Sequence, residues 1–305
     1  MIEPAHYREI GEDLGVRAVP DLPLGPLTTM KVGGPASWVY FPESPEQACR
    51  LYAALERGPL PVRLLGAGSN VVVADEGIRA VVVATAGVRR EAELLEEGRV
   101  LVPAGAGLPG LVRWTAAHGL SGLEFAEGIP AKLGGAICMN AGANGASIGN
   151  VVEQVLVGGS AGELRRHDVR AGDFGYRTSF VSARRLIVVG AVLRLFTANR
   201  DSVRETIREF KARRRDTQPL WERSAGCVFA NWPEQPVGAL VEQLGLKGLS
   251  VGDAEVSTLH GNFIINRGRA TASDVLTLIE RMRERLASEA GTTPRLEVQI
   301  WRDLA

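Results

Sequence analysis

The first two thirds of the chain alternate short apolar blocks with glycine, aspartate and asparagine. Blocks of this length, rich in valine and leucine and bounded by turn residues, predict β-strands. An entry rich in proline, with Pro20, Pro23 and Pro26, precedes the first of them. The predicted strands are Trp38–Phe41, 61–65, 70–74, 80–85, 99–104, 151–157, 162–167 and 186–196.

Two stretches between these blocks have the helical spacing of apolar residues. Ser44 can cap the first, Pro45 fits its first turn, and Gly58 can end it. The second spans residues 108–118 and ends at Gly119. The first part of the chain is therefore predicted to mix short strands with helices.

The pattern changes after Phe196. Residues 201–215 carry Val203, Ile207 and Phe210 on one stripe, as expected of a surface helix that joins two domains. The rest predicts a compact α+β unit. Its elements are an apolar turn at 226–230, a helix at 236–244, a strand at Asn262–Asn266, a helix at 274–289 capped by Ser273, and a closing strand at 296–301.

The composition is that of a globular protein, with 45% hydrophobic and 23% charged residues among 305. Basic and acidic side chains number 35 each, so the formal net charge is zero. This balance does not favour a nucleic-acid or membrane-surface partner. The N-terminal MIEPAHYREIGEDLG lacks the pattern of a secretory leader, and no uncharged apolar run approaches the length of a membrane span. We expect a cytoplasmic protein.

Cys49, Cys138 and Cys227 are odd in number and far apart in the sequence. No CxxC pair and no histidine at metal-ligand spacing accompanies them, so neither a disulfide framework nor a metal site is predicted. The compartment is expected to be reducing. Cys227 follows Gly226, so its thiol is either presented by a glycine turn or packed in the core as a small apolar residue.

Glycine is the one unusual component: 36 residues, about 12% of the chain against a usual share of about 7%. The stretch Leu64–Asn70 follows a predicted strand and contains Gly66-Ala67-Gly68. A Rossmann phosphate loop leads into a helix, whereas this one leads into the strand-like Val71-Val72-Val73. Its amides can still form an anion-binding nest, and the alternative is a tight turn that needs positive φ.

A second glycine-rich tract runs from Glu127 to Gly145. Glycine loses more backbone entropy on ordering than any other residue, and we expect side-chain burial to be insufficient to order this tract. A bound ligand with a diphosphate would order it. The two loops, about 60 residues apart, therefore predict one extended dinucleotide between two small α+β lobes.

Six segments together resemble one enzyme family. In order, they are LGAGSNVVVAD, GIPAKLGGAICMNAG, Tyr176-Arg177-x-Ser179, Arg214-x-x-x-Gln218-Pro219, AGCVFANW and Glu255-Val256-Ser257-x-x-His260-x-x-Phe263-Ile264-x-Asn266. Any one motif is weak, but the ordered set is specific. From about Leu27 to its C-terminus, the chain closely resembles the UDP-N-acetylenolpyruvoylglucosamine reductases (MurB) in their shorter, type II form.

The resemblance implies an α+β fold, with a two-lobed FAD-binding fold of the vanillyl-alcohol oxidase/PCMH type and a C-terminal α+β substrate domain. It implies lobe 1 at residues 1–75, lobe 2 at 76–198 and the substrate domain at 199–305. It also implies noncovalent FAD and NADPH as reductant. The implied partner is a small-molecule substrate, with no nucleic acid, membrane or obligate protein partner.

The reaction that the resemblance implies is the reduction of UDP-N-acetylenolpyruvoylglucosamine to UDP-N-acetylmuramate for peptidoglycan synthesis. NADPH reduces FAD, and hydride then passes to the enolpyruvyl methylene carbon. The neighbouring carbon and its carboxylate gain negative charge, which needs a cationic partner and a proton. Arg177 matches the family's catalytic arginine, and Glu297, in the final predicted strand, matches its catalytic glutamate.

Cys227 matches the position where the family usually carries a proton-donating serine. A thiol is larger than a hydroxyl and a weaker hydrogen-bond partner. Because its ordinary pKa is about 8.5, it is still mostly protonated at neutral pH and can donate a proton. We therefore expect Cys227 to be the acid.

The remaining site residues are carried over from the same motifs. For FAD, the resemblance implies Leu65, Gly66, Ala67, Gly68, Ser69, Asn70, Val71, Gly128, Ile129, Pro130, Gly134, Gly135, Ala136, Asn140, Ala141 and Gly142, with Lys31 in a segment near the flavin. For the substrate, it implies Tyr176, Arg214, Gln218, Asn231 and Lys247. His260 is interpreted as structural.

Two other functions fit the same residues. One is an FAD oxidase of the same fold that acts on another alcohol or amine. Neither glycine-rich tract contains a histidine for covalent attachment, so noncovalent flavin is expected there too. The other is a catalytically silent module that binds nucleotide sugars and keeps flavin as a structural group.

Overall fold

The computed structural model describes residues 4–88, 91–232 and 235–303. Its α-helices within these ranges are α1 (Pro4–Asp13), α2 (Pro45–Leu55), α3 (Leu108–Ala117), α4 (Leu133–Cys138), α5 (Phe180–Ala183), α6 (Arg200–Thr217), α7 (Val237–Gln243) and α8 (Ala272–Ala290). The strands up to the glycine-rich tract are β1 (Arg17–Pro23), β2 (Pro35–Phe41), β3 (Val62–Leu65), β4 (Val71–Val73), β5 (Ile78–Ala84), β6 (Glu93–Leu94), β7 (Arg99–Pro103) and β8 (Leu120–Ser121). The later strands are β9 (Gly142–Ala143), β10 (Ala146–Ser147), β11 (Val152–Gly158), β12 (Leu164–Asp168), β13 (Phe174–Gly175), β14 (Thr178–Ser179), β15 (Ile187–Arg194), β16 (Phe196–Thr197), β17 (Arg223–Cys227), β18 (Ser250–Val251), β19 (Ala254–Val256), β20 (Phe263–Asn266) and β21 (Gln299–Trp301).

Contacts divide the chain into two compact units. The first unit contains the described residues of Met1–Pro20, Ser37–Ala67 and Ala80–Ala212. The second unit contains those of Asp21–Ala36, Gly68–Arg79 and Arg213–Ala305. The predicted division into residues 1–75, 76–198 and 199–305 follows from the ligand that each segment is expected to bind, not from contacts between residues. It stays a prediction.

The first unit is built mainly on two sheets. One has five strands in the order β12-β11-β15-β7-β6, and the other has four in the order β1-β2-β5-β3. Every residue of β15 except Arg194 is buried. Because successive side chains of a strand point to opposite faces, Ile187 and Val189 pack in a core with α2, and Val188 packs in a core with α3 and α4.

The second unit contains a four-stranded antiparallel sheet, β17-β20-β19-β18, and a parallel pair of β21 with β4. Helix α8 buries an apolar stripe in its core, as its periodicity predicts. The predicted cap Ser273 is wrong. Thr271 caps this helix, in a capping box with Asp274, and the amide of Ser273 donates instead to Asp75 at 2.8 Å.

Several local predictions are confirmed. Helix α2 begins at Pro45, and the hydroxyl of Ser44 accepts a hydrogen bond from the amide of Gln47 at 3.1 Å. The proline-rich entry was predicted to precede the first strand, but it is itself partly a strand, since β1 contains Pro20 and ends at Pro23. Strand β1 lies at the end of its sheet's strand order, where a proline that lacks an amide hydrogen is tolerated.

Candidate active site

In the first unit, the two glycine-rich segments lie side by side. A Cβ placed on Gly66 would lie 3.9 Å from the amide nitrogen of Gly135 and 3.6 Å from the Cβ of Lys132. A Cβ placed on Gly135 would meet no atom of the described chain within 4 Å. Neither Gly66 nor Gly135 carries a side chain, and Gly135 faces open space, so a ligand can approach the backbone closely there.

Side-chain burial nevertheless helps to order the second tract, so the expectation that it would be insufficient is wrong. The tract forms α4. Leu133, Ala136 and Ile137 of this helix are buried in the core of the first unit. A short helical segment thus anchors the tract through its apolar face and leaves Gly135 facing open space.

Tyr176 and Arg177 form the turn of the hairpin between β13 and β14, in which Phe174 pairs with Ser179. Arg177, the second of the two turn residues, has a φ of +56°, in the left-handed region that residues other than glycine seldom adopt. Tyr176 is 56% exposed, and the guanidinium carbon of Arg177 lies 5.5 Å from the centroid of the Tyr176 ring. The hairpin therefore presents one aromatic ring and one cation together.

The hairpin is connected to the second glycine-rich tract. The Asn140 side-chain amide donates to the carbonyl of Gly175 at 2.9 Å, and its oxygen accepts from the amide of Gly149 at 3.0 Å. Arg177 Nη1 donates to the carbonyl of Gly142 at 3.5 Å. The structure thus brings together two residues predicted for FAD and the predicted catalytic arginine.

A hydrogen bond between His167 and Asp173 supports the same hairpin. Asp173 Oδ2 accepts from His167 Nε2 and from the amide of Arg170, both at 2.8 Å. The His167 ring stacks on Phe180 at 4.0 Å, and the Phe180 amide donates to the carbonyl of Asp173 at 2.8 Å. Burial acts to raise the pKa of Asp173, but the hydrogen bonds from His167 and Arg170 outweigh it and hold the pKa below its usual range.

In the second unit, the first glycine-rich loop continues from Gly68. Gly68 has a φ of +63°, and a Cβ there would lie 2.6 Å from the carbonyl oxygen of Leu27. The amide of Thr29 donates to the Gly68 carbonyl at 3.2 Å. Lys31, expected near the flavin, donates from Nζ to the carbonyl of Pro26 at 2.9 Å. The segment before Gly34 therefore braces this loop.

Cys227 is the last residue of β17 and pairs with Phe263. The strand bulges between Ser224 and Cys227, and Gly226 has a φ of +76°, so the predicted glycine turn is confirmed. A Cβ placed on Gly226 would lie 3.6 Å from the carbonyl oxygen of Ser69. The turn before Cys227 thus lies against the first glycine-rich loop.

A buried asparagine for which the sequence predicts no role fixes the backbone after Cys227. Asn262 is 1% exposed. Its side-chain oxygen accepts from the amide of Phe229 at 3.0 Å, and its side-chain nitrogen donates to the Phe229 carbonyl at 2.7 Å. The carbonyl of Asn262 accepts from the Val228 amide at 2.9 Å. The one available signal was an amide side chain directly before an apolar strand.

His260 lies beside this asparagine and has a structural role, as interpreted. Its Nδ1 accepts from the amide of Asn262 at 3.2 Å, and its ring packs against Phe263 with centroids 4.8 Å apart. Burial lowers the pKa of His260. The neutral ring therefore serves as an acceptor within the fold.

Glu297 lies before β21 rather than within it, which corrects the predicted position. Its amide donates to the carbonyl of Val228 at 2.8 Å. Its carbonyl accepts from the Asn70 side chain at 3.0 Å, and the Asn70 carbonyl accepts from the amide of Gln299 at 2.9 Å. The second unit thus joins three predicted site segments: the first glycine-rich loop, the turn at Cys227 and the C-terminal Glu297.

The predicted substrate residues of the second unit fall into two groups. Arg214 donates to Gln218 Oε1 from Nε at 3.1 Å and from Nη2 at 2.7 Å, so these two lie together at the end of α6. Asn231 Oδ1 accepts from the amide of the first residue of α7 at 3.1 Å. Lys247 Nζ lies 2.7 Å from Glu242 Oε2. Asn231 and Lys247 therefore also form contacts that stabilise the second unit.

The other cysteines are unsuited to acid chemistry at neutral pH. Burial raises the pKa of Cys49 to about 11 and that of Cys138 to about 12. Across residues 4–88, 91–232 and 235–303, no group of three or more His, Cys, Asp or Glu side chains is placed to hold a metal ion. Within the same ranges, no helix has the length and apolar character needed to cross a membrane.

Comparison with known proteins identifies the family. Residues 36–167 match the family described as FAD binding domain, and residues 218–301 match UDP-N-acetylenolpyruvoylglucosamine reductase, C-terminal domain. The UDP-N-acetylenolpyruvoylglucosamine reductase of Moorella thermoacetica is 42% identical over 294 residues, which cover 96% of each chain. This chain belongs to the UDP-N-acetylenolpyruvoylglucosamine reductase family.

Two further members of this reductase family support the assignment. The Gloeobacter violaceus reductase is 41% identical, over 92% of this chain and 95% of its own. The crystal structure of the Thermus caldophilus reductase superposes with a TM-score of 0.79 at 36% identity, covering 94% of this chain and 99% of that one. The predicted family and the α+β fold with an FAD-binding domain are confirmed, and this member is an FAD-dependent oxidoreductase.

The residues present fit the FAD of this reductase family. The amide nitrogens of Gly68, Ser69 and Asn70 donate to no residue in the described part of the chain. Consecutive amides of this kind form a nest for an anion such as a diphosphate. In the first unit, the open surface at Gly135 offers a second stretch of accessible backbone.

Proposed function

We propose that this chain reduces UDP-N-acetylenolpyruvoylglucosamine to UDP-N-acetylmuramate, with NADPH as reductant, in the cytoplasm and without an obligate protein partner. The observation that carries the proposal is the turn at Gly226 and Cys227, which the second unit connects to the first glycine-rich loop and to Glu297. Bound FAD supplies a two-electron carrier that takes hydride from NADPH and delivers it to the enolpyruvyl methylene carbon. The chain's own residues must then bind the carboxylate and supply one proton.

Arg177 is proposed to bind the substrate carboxylate. A guanidinium is always charged and offers paired donors to a carboxylate. Hydride transfer adds negative charge to the carbon beside that carboxylate, so the cation stabilises the transition state more than the ground state. The exposed Tyr176 ring on the same turn is proposed to contact the substrate as well.

Cys227 is proposed to give its thiol proton to the same carbon. The C–H bond forms as the S–H bond breaks, and the product then carries the hydride and the proton across the former double bond. The thiolate left behind needs a proton before the next turnover. Glu297 is proposed to return it, since its backbone is hydrogen-bonded to the residue after Cys227.

The remaining site residues keep their predicted roles as parts of this proposal. The FAD-binding residues are those of 65–71 and 128–142 that the family motifs assign. Arg214 and Gln218, joined by two hydrogen bonds, are proposed to contact the diphosphate or sugar of the substrate. Asn231 and Lys247 are proposed to contribute to the same substrate.

An anaerobic half-reaction experiment tests the proposal. The FAD-loaded protein is bleached with one equivalent of NADPH, and UDP-N-acetylenolpyruvoylglucosamine is then added while the flavin absorbance is followed. We expect the oxidised flavin spectrum to return and UDP-N-acetylmuramate to form in equal amount. Bleaching without reoxidation by this substrate would indicate another flavin oxidoreductase, and absence of bleaching would indicate a silent binding module.

A further inference from the structure

We propose that Lys132 binds the diphosphate of FAD through its ammonium group. Lys132 lies in the second glycine-rich tract, directly before α4, and is partly buried. The family motifs do not assign it to the cofactor. This inference rests on FAD binding by the chain and adds one ionic contact to it.

The backbone of Lys132 is held firmly. It forms an antiparallel bridge with Gly107, and its carbonyl accepts from the amide of Ala136 at 2.9 Å. The preceding Ala131 carbonyl accepts from the amide of Leu108 at 3.0 Å. The base of the side chain is therefore fixed by contacts to α3 and α4.

The side chain runs along backbone that carries no side chains of its own. A Cβ placed on Gly66 would lie 3.6 Å from Lys132 Cβ and 3.9 Å from Cγ, and one placed on Gly107 would lie 3.8 Å from Nζ. The amide nitrogen of Gly135, whose own Cβ direction is open, lies 3.9 Å from the same Gly66 Cβ position. The base of the Lys132 side chain thus lies against Gly66 of the first glycine-rich loop, and its ammonium group lies near Gly107.

The charge of Lys132 points to the diphosphate. It is the one basic residue between Glu127 and Gly145. Oxidised FAD carries its negative charge on the diphosphate, whereas its ring system and adenosine are neutral. An ammonium is a compact point charge with three donors, which suits phosphate oxygens.

The test measures FAD affinity of the apoprotein rather than turnover. FAD is removed, and the apoprotein is titrated with FAD by the quenching of flavin fluorescence at several salt concentrations. The variants are Lys132→Met, which keeps the apolar stem, and Lys132→Arg, which keeps the charge. Lys211→Met, on the exposed surface of α6, is the matched control.

At low salt we expect Lys132→Met to bind FAD roughly 10- to 100-fold more weakly than the wild type, as loss of one charge-assisted hydrogen bond predicts. The difference shrinks as salt rises. Lys132→Arg stays within about threefold of the wild type, since an arginine also pairs with phosphate. Lys211→Met binds like the wild type.

Equal affinity of the wild type and Lys132→Met would overturn the proposal, and so would a loss that is the same at every salt concentration. A changed flavin midpoint potential with unchanged FAD affinity would also overturn it, since the cation would then face the ring. Failure of the wild type to bind FAD would instead contradict the flavin function. If circular dichroism shows that Lys132→Met is unfolded, Lys132→Gln is measured against the same criteria.

Discussion

Each unit holds one candidate catalytic turn, and the two turns are stabilised in different ways. In the first unit, Arg177 itself adopts the left-handed φ, on a hairpin of two residue pairs. In the second unit, Gly226 adopts it, one residue before Cys227, at the end of a strand in a four-stranded sheet. The turn at Arg177 therefore depends on nearby polar side chains, such as that of Asn140. The turn at Cys227 depends on the hydrogen bonds of its sheet and on the buried side-chain amide of Asn262.

The largest effect is expected at Cys227, where chemistry rather than stability is tested. Cys227→Ala should slow reoxidation of the reduced flavin by substrate by at least about 100-fold, because a proton donor is lost. Cys227→Ser should keep substantial turnover, and both variants should be bleached by NADPH at the wild-type rate. Stopped-flow absorbance measures each half-reaction, and near wild-type reoxidation in the alanine variant would remove Cys227 from the mechanism.

The second largest effect is expected at the buried side-chain amide of Asn262, and it is an effect on the free energy of unfolding. Asn262→Ala leaves the amide and carbonyl of Phe229 without their side-chain partners in a dry site. We expect the free energy of unfolding to fall by about 3 kcal/mol, the cost of two unsatisfied buried backbone groups after partial relaxation. Urea denaturation followed by tryptophan fluorescence measures this change. A loss below about 1 kcal/mol would show that the sheet alone fixes the turn.

In the first unit, the counterpart of Asn262→Ala is Asn140→Ala, and it should lower activity more than stability. Asn140→Ala removes the hydrogen bonds to Gly175 and Gly149, which are only partly buried, so we expect a loss of about 1 to 2 kcal/mol. Because the hairpin that carries Arg177 loosens, kcat/KM should fall further than stability alone would explain. Steady-state kinetics at saturating FAD measures it, with Asn150→Ala, outside the hairpin, as the control.

The smallest effect is expected at the hydrogen bond between Asp173 and His167, next to the hairpin. The pKa of Asp173 is held below its usual range in the folded protein, so its carboxylate contributes stability above the unfolded pKa of about 3.9. That contribution is lost as the pH falls through the folded pKa. Asp173→Asn should cost about 1 kcal/mol at neutral pH and flatten the decline in stability below pH of about 4. Thermal melts across this pH range measure the slope, and parallel curves for the two proteins would rule out this role.

Local features of the fold could be predicted from the sequence. The capping of α2 by Ser44 and a glycine turn before Cys227 need only neighbouring residues, and the structure contains both. The cap of α8 was placed two residues late, because Ser273 and Thr271 are both good caps. What distinguishes the two candidates is the amide of Ser273, which donates to Asp75. Because Asp75 is remote in the sequence, neighbouring residues do not reveal this hydrogen bond.

The candidate site depends on distant contacts, and these could be predicted only in part. The family motifs named Asn70 and Glu297 separately, but nothing in the sequence shows that the Asn70 side chain donates to the Glu297 carbonyl. The left-handed φ of Arg177 was not predictable either, since arginine has no preference for that region. Asn262 carries no chemistry, so a search for reactive side chains passes over it.

The parallel pairing of β4 with β21 has a consequence for synthesis of the chain. Asn70 and Glu297 are 227 positions apart, and the first glycine-rich loop leaves the ribosome long before the C-terminal strand exists. A pairing of such high contact order closes late, after the first unit has had time to fold. A fragment restricted to residues 213–305 would also lack Asp75 and β4, so we expect it to aggregate through the open edge of β21. The second unit is therefore completed only after β21 has been synthesised.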